Sequence, residues 1–181
     1  MQLINLWYRN CPICKNTVHV RGIDEQKSPV ILHGRLQTTP RWYDFTMRCF
    51  WKYAYFSDVA DHSDDVFREI LRSSRKNNQR SGVSGILVRD KNTYFQYLEG
   101  DKEALADCVL RISGDSRHNN MTVIFSAQTA ALFFDGWSLA EAKLPQRKQN
   151  LSAFKRLLLG LPMEDRIAMV DEVCLEAKLL L

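Results

Sequence analysis

NTYFQYLEGDK, residues 92–102, alternates strictly enough to read as a strand that ends at Gly100-Asp101. Side chains on a strand point to opposite faces in turn, so Tyr94, Gln96 and Leu98 share one face and Phe95, Tyr97 and Glu99 the other. Gln96 is the unexpected residue. A primary amide carries two donors and an acceptor, and burying it unpaired costs on the order of 1–3 kcal/mol. Something in the folded chain has to satisfy it.

Reading outward from this strand gives the fold. Asp90-Lys91-Asn92 supplies a turn, and the preceding VSGILVR, its entry bracketed by Gly82 and Gly85, forms a hairpin with it. Upstream, HSDDVFREILRSSRKNN predicts a helix. Ser63 caps it, Asp64 and Asp65 favour its positive end, and Val66, Phe67, Ile70 and Leu71 lie on one face, with the end near Asn77 and Asn78. Before that, MRCFWKYAYFS reads as a first buried strand ending at Ser57.

Downstream of Asp101, an apolar stripe of Ala104, Leu105, Cys108, Val109 and Ile112, with Arg111 beside it, predicts a second helix that stops at Gly114. MTVIFSAQ is a fourth strand, and ALFFDGWSL is expected to hold a fifth around Phe133–Leu139. The order βαββαββ predicts an α+β, ferredoxin-like sandwich with two helices on one sheet face. Two more helices follow Pro145: LSAFKRLLLG, and PMEDRIAMVDEVCLEAKLLL with a stripe of Met163, Ile167, Val170, Cys174 and Ala177. That stripe suits packing on the sheet, with self-assembly of the chain as the other use.

Three segments are therefore expected: an N-terminal extension over 1–46, the main domain over 47–145, and a C-terminal helical extension over 146–181. The first is broken by Pro12, Pro29 and Pro40 and is read as unfolded or as a spurious extension, with Met47 as the true start. Cys11-Pro-Ile-Cys14 with His19 and His33 has the residue types of a zinc site but not its usual spacing, and no metal is expected.

The chain has 181 residues, 45% of them apolar and 25% charged, in keeping with a globular protein. Its start lacks the order of a secretory signal, and no run approaches the roughly 20 apolar residues of a membrane span. Five cysteines at irregular spacing suit reduced thiols, so the cytoplasm is the expected compartment. The net charge is +4, of which residues 1–46 hold +3, leaving the main body almost neutral and unsuited to nucleic acid.

The polar residues around Gln96 carry a further signal. Tyr55-Phe-Ser57, Asn77-Asn-Gln-Arg-Ser-Gly-Val-Ser-Gly85, Phe95-Gln-Tyr-Leu-Glu-Gly100, Asp115-Ser-Arg-His118 and Phe134-Asp-Gly-Trp-Ser138 occur in order. With these motifs, the stretch from about Cys49 to Leu144 resembles the BLUF domain, a blue-light sensor that binds FAD. The resemblance implies a photoreceptor, not an enzyme, that signals to a separate and unidentified protein.

It also implies roles for named residues. Tyr55 would be the electron donor to the excited flavin, and Gln96 would bridge it to the flavin and exchange one hydrogen-bond pattern for another. Asn78 would bind the polar edge of the ring, Asn77 the ring or its tail, and Ile70 would pack on the ring. Arg111, Asp115, Arg117 and His118 would lie near the mouth of the site, and Trp137 would respond to the light step. Two positions after Trp137 the family often carries Met, and this chain has Leu139, which offers no sulfur to a relay. The alternative is a ferredoxin-like small-ligand or enzyme domain without flavin, with Arg111, Arg117 and His118 as an anion site. A weaker one is a nucleic-acid module stacking bases on Tyr94, Phe95 and Tyr97.

Overall fold

The computed structural model describes residues 8–10, 17–19, 49–144 and 150–179. The chain divides into two compact units, Met1–Arg48 and Cys49–Leu181. In the first, β1 (Tyr8–Asn10) pairs antiparallel with β2 (Thr17–His19), Tyr8 opposite His19. Cys11, Cys14 and His33 of the zinc reading, and the expected start at Met47, lie outside the described residues.

The second unit runs β3 (Phe50–Val59), α1 (Asp64–Ser81), β4 (Ser84–Arg89), β5 (Thr93–Gly100), α2 (Lys102–Ser113), β6 (His118–Thr129), β7 (Ala140–Glu141), α3 (Leu151–Leu159) and α4 (Met163–Lys178). Its five-stranded sheet has the order β6-β3-β5-β4-β7. β3 and β4 both pair antiparallel with β5, while β4 and β7 run parallel. This is the expected ferredoxin-like α+β sandwich. Local chemistry sets the boundaries: Ser63 caps α1 by accepting from the Val66 amide, and Gly82 ends it in the left-handed region at φ 67°. At Gly85 a side-chain carbon would sit 2.0 Å from the Tyr97 carbonyl oxygen, so only glycine lets β4 lie against β5 there.

Strand alternation sorts the apolar residues into two layers. Tyr94 and Leu98 of β5 join Phe67 and Leu71 of α1, Leu105 and Cys108 of α2, and Leu87 on one side of the sheet. Phe95 and Tyr97 join Ala54, Phe56, Phe154, Leu158, Val170, Val173, Cys174 and Ala177 on the other. So α1 and α2 cover one face, and α3 and α4 the opposite one, each buried Leu or Phe worth roughly 1.5–3 kcal/mol. Within the predicted α4 stripe, Val170, Cys174 and Ala177 are buried, while Met163 is exposed.

The fifth strand is not at Phe133–Leu139 but at Ala140–Glu141. The cause is Glu99, fully buried on the α3/α4 face of β5. Its two oxygens accept from the Phe133 amide at 2.9 Å and the Phe134 amide at 2.6 Å, and also from Tyr97 Oη at 3.1 Å and Ser84 Oγ at 3.2 Å. Amides held by a side chain cannot also join a strand ladder. The chain turns instead, with Trp137 N donating to Phe134 O at 2.9 Å and Gly136 at φ 82°. On the same face Lys52 of β3 reaches Asp171 of α4 at 2.6 Å.

Candidate functional site

Tyr55 and Gln96 stand opposite each other across β3 and β5, where facing side chains are near neighbours. Both are buried, 2% and 4% exposed, on the side covered by α1 and α2. The Tyr55 hydroxyl donates to Gln96 Oε1. Burial pushes the Tyr55 phenol well above its ordinary value, with Cys108, Tyr53, Asp115 and Tyr94 adding to the effect, so it stays protonated as a donor. With Oε1 taken by the phenol, the amide NH2 is the donor side of Gln96.

Three buried polar atoms on this face have no partner among the described residues, the Tyr94 hydroxyl and the two that follow. Ser57 lies two residues along β3 from Tyr55 and opposite Tyr94, and its Oγ is buried and unbonded. His118 opens β6 with its ring centroid 6.3 Å from that of Tyr55, and its Nδ1 is likewise buried without a partner. Burial lowers the His118 pKa against the pull of Asp115, favouring the neutral ring. Each orphan costs on the order of 1–3 kcal/mol unless a bound group completes it. They are the groups on this face that a ligand with hydrogen-bonding edges would complete.

Asn78, near the end of α1, is buried and bonded on both sides. Its Nδ2 donates to Ser138 O at 2.9 Å and its Oδ1 accepts from Cys108 Sγ at 3.4 Å. Arg75 Nε donates to Leu139 O at 2.9 Å. One amide therefore ties α1, α2 and the approach to β7 together. Burial raises the Cys108 thiol pKa, and the Arg111 guanidinium beside it pulls the other way.

The other candidates divide clearly. Ile70 is half-buried and packs on the apolar layer of the α1/α2 face. Arg117 grips Asp115 through Nε at 2.9 and 3.0 Å and through its terminal nitrogen. That pairing holds the Asp115 carboxyl below its usual range, and it neutralises the cation an anion site would need. Asn77 and Arg111 are exposed, and so is Trp137, at 41%, while Leu139 is buried at 3% in the α1/α2 layer. Sequence reasoning missed Ser57, Cys108 and Glu99. Strand alternation from Tyr55 would have found Ser57, but the contacts of Cys108 and Glu99 join residues 30 to 35 positions apart.

Comparison with known proteins bears on the family and the fold. The family of sensors of blue light using FAD, BLUF, matches residues 50–140. The photoactivated adenylate cyclase subunit beta of Euglena gracilis is 30% identical over 74 residues, 40% of this chain and 9% of that protein. A beta-like protein, FB, from the same organism is 28% identical over 74 residues, again 9% of its length. The chain thus aligns with only a small part of these curated relatives. Among solved structures, BlrB, a BLUF protein in its dark state, superposes with a TM-score of 0.55 at 27% identity, covering 72% of this chain and 98% of BlrB. The photo-activated state of BlsA gives 0.58 at 23% identity, covering 69% and 94%, a likeness of fold. On the match over residues 50–140, the chain belongs to the BLUF family of blue-light sensors that use FAD.

Proposed function

We propose that this chain binds FAD between α1, α2 and the sheet, and converts blue light into a rearrangement of hydrogen bonds that a partner protein reads. The buried hydrogen bond from Tyr55 to Gln96 carries this reading, because it joins an oxidisable phenol to an amide that can exchange donor and acceptor sides. Bound FAD supplies blue-light absorption and, once excited, a one-electron oxidant. Ser57 Oγ and His118 Nδ1 are among the unpaired groups that such a ligand would complete.

Tyr55 gives up an electron and passes its proton along its hydrogen bond toward Gln96. When the electron returns, the Gln96 amide is left in a different orientation, with its partners exchanged. Gln96 is close-packed, so the new pattern persists until the side chain can turn back. Asn78 and Ile70 line the ligand on the α1 side, with Asn77 at its tail. Arg111, Asp115, Arg117 and His118 stand at the mouth, and Trp137 is the exposed reporter. Leu139 replaces a sulfur acceptor by hydrocarbon, so the relay from Gln96 in this chain runs without a thioether contact.

The reading is of a sensor without catalytic residues of its own, working in the cytoplasm and passing its signal to a separate protein. No described helix is long and apolar enough to cross a membrane. Purified protein incubated with FAD is expected to turn yellow and to show a small, reversible red shift under blue light. Colourless protein that takes up no FAD rejects the proposal. A flavin-loaded Tyr55→Phe variant is expected to keep its colour and lose the shift, and an unaltered shift would remove Tyr55 from the mechanism.

A further inference from the structure

Trp51, Tyr53, Tyr55 and Ser57 alternate onto one face of β3, which brings a second phenol beside the first. The Tyr53 and Tyr55 ring centroids are 6.0 Å apart at an interplanar angle of 51°, a contact close enough for an electron to pass between the rings. Their surroundings differ. Tyr55 is sealed in and bonded to Gln96. Tyr53 is half-buried, and among the described residues its hydroxyl donates to the thioether of Met121, at 3.9 Å, a weak acceptor that cannot keep a proton.

We propose that Tyr53 is a second oxidisable phenol, which in a fraction of light cycles takes the electron vacancy from Tyr55 and brings it toward the protein surface. This rests on the reading above, in which Tyr55 is oxidised by light-excited flavin. One electron moves from the Tyr53 ring to oxidised Tyr55. The Tyr55 O–H bond re-forms with the proton that returns along the bond to Gln96. The Tyr53 O–H bond breaks and its proton goes to water. The net result on the protein is Tyr55 restored, Tyr53 oxidised by one electron and short of one proton, and one proton released to solvent, the electron having gone to the light-excited FAD that the site would hold.

The direction follows from the two sites. A phenol is readily oxidised near neutral pH only if its proton can leave, and the half-buried hydroxyl has the shorter way to water. Burial raises the pKa of both phenols, and Tyr55 is the more deeply buried of the two. The transfer is a leak from the reversible cycle: each vacancy that reaches Tyr53 is one that does not return promptly from Tyr55. Tyr53 therefore limits how many light cycles the sensor completes before it stalls.

The test is blue-light illumination of the flavin-loaded chain with the spin trap 2-methyl-2-nitrosopropane, followed by peptide mapping. The expected result is a trap adduct on Tyr53 that grows with light dose and disappears in Tyr55→Phe. A Tyr53→Phe variant, which keeps the ring and its packing, is expected to keep the red shift and to lose several-fold less of it over repeated flashes. Normal red shift with no adduct on Tyr53, or equal loss per flash in Tyr53→Phe, overturns this inference and leaves the photoreceptor reading intact. Failure to take up flavin, judged by absorbance before any illumination, overturns both.

Discussion

The two faces of the sheet differ in how far their buried polar groups are satisfied. On the α3/α4 face Glu99 accepts four hydrogen bonds, from two amides and two hydroxyls, and Lys52 meets Asp171. On the α1/α2 face the Tyr55–Gln96 pair shares its layer with three buried polar atoms that have no hydrogen-bond partner among the described residues, Ser57 Oγ, Tyr94 Oη and His118 Nδ1, against one, Asp171 Oδ1, on the other face. A satisfied polar group holds a structure together, whereas an unsatisfied one stores free energy that a ligand recovers. The difference sets a face whose polar groups are mostly satisfied within the fold apart from a face that leaves more of them open to a ligand.

The sharpest way to break this contrast is to remove Gln96. Gln96→Leu is expected to abolish the light-induced shift entirely while the fold persists, measured by absorbance difference on flavin-loaded protein beside circular dichroism. A normal shift would place the switch elsewhere. On the opposite face the largest effect belongs to Glu99. Glu99→Ala leaves two amides and two hydroxyls without their acceptor and is expected to cost on the order of 3–5 kcal/mol in urea unfolding, with Glu99→Gln clearly milder. A loss under about 1 kcal/mol would mean the Phe133–Phe134 turn is held by other contacts.

Next comes the ion pair beneath α4. Asp171→Ala strands Lys52, whose side chain is 7% exposed, and is expected to cost about 2 kcal/mol, less than a fully buried pair because Asp171 is 26% exposed. Lys52→Met combined with Asp171→Leu should recover most of that loss. If the double variant is no better than the single one, the attraction between the charges is not what is lost.

The smallest effect belongs to Asp115. Its folded pKa is depressed, chiefly by the hydrogen bond from Arg117, so the contribution is present above the ordinary carboxyl value of 3.8 and fades as pH falls below it. A partly exposed pair is worth about 1 kcal/mol or less. Asp115→Asn should therefore flatten the acid end of the stability curve slightly, followed by unfolding between about pH 5 and pH 2.

Much of this molecule was legible in its sequence where the signal was local. The alternation in Thr93–Gly100 put Gln96 and Glu99 on opposite faces, and Ser63 and Gly82 marked the ends of α1. The fifth strand was misread because Phe133 and Phe134 are apolar and aromatic, as strand residues are. What turns them is a carboxyl 34 and 35 positions away, which no local pattern reveals. In the site, the facing of Tyr55 and Gln96 follows from strand register, but the double bonding of Asn78 to Ser138 and Cys108 depends on how α1, α2 and the approach to β7 come together. The same holds for the exposure of Trp137, set by the turn that Glu99 imposes.

β7 is only two residues long, yet it lies in register along Ile86 and Leu87 of β4, and Ala142 N adds a bond to Leu87 O at 3.0 Å. Without that short cover, the six-residue strand Ser84–Arg89 would offer its backbone to any passing strand, including one from another copy of this chain. A mere dipeptide thus shortens the run of open backbone on that edge of the sheet.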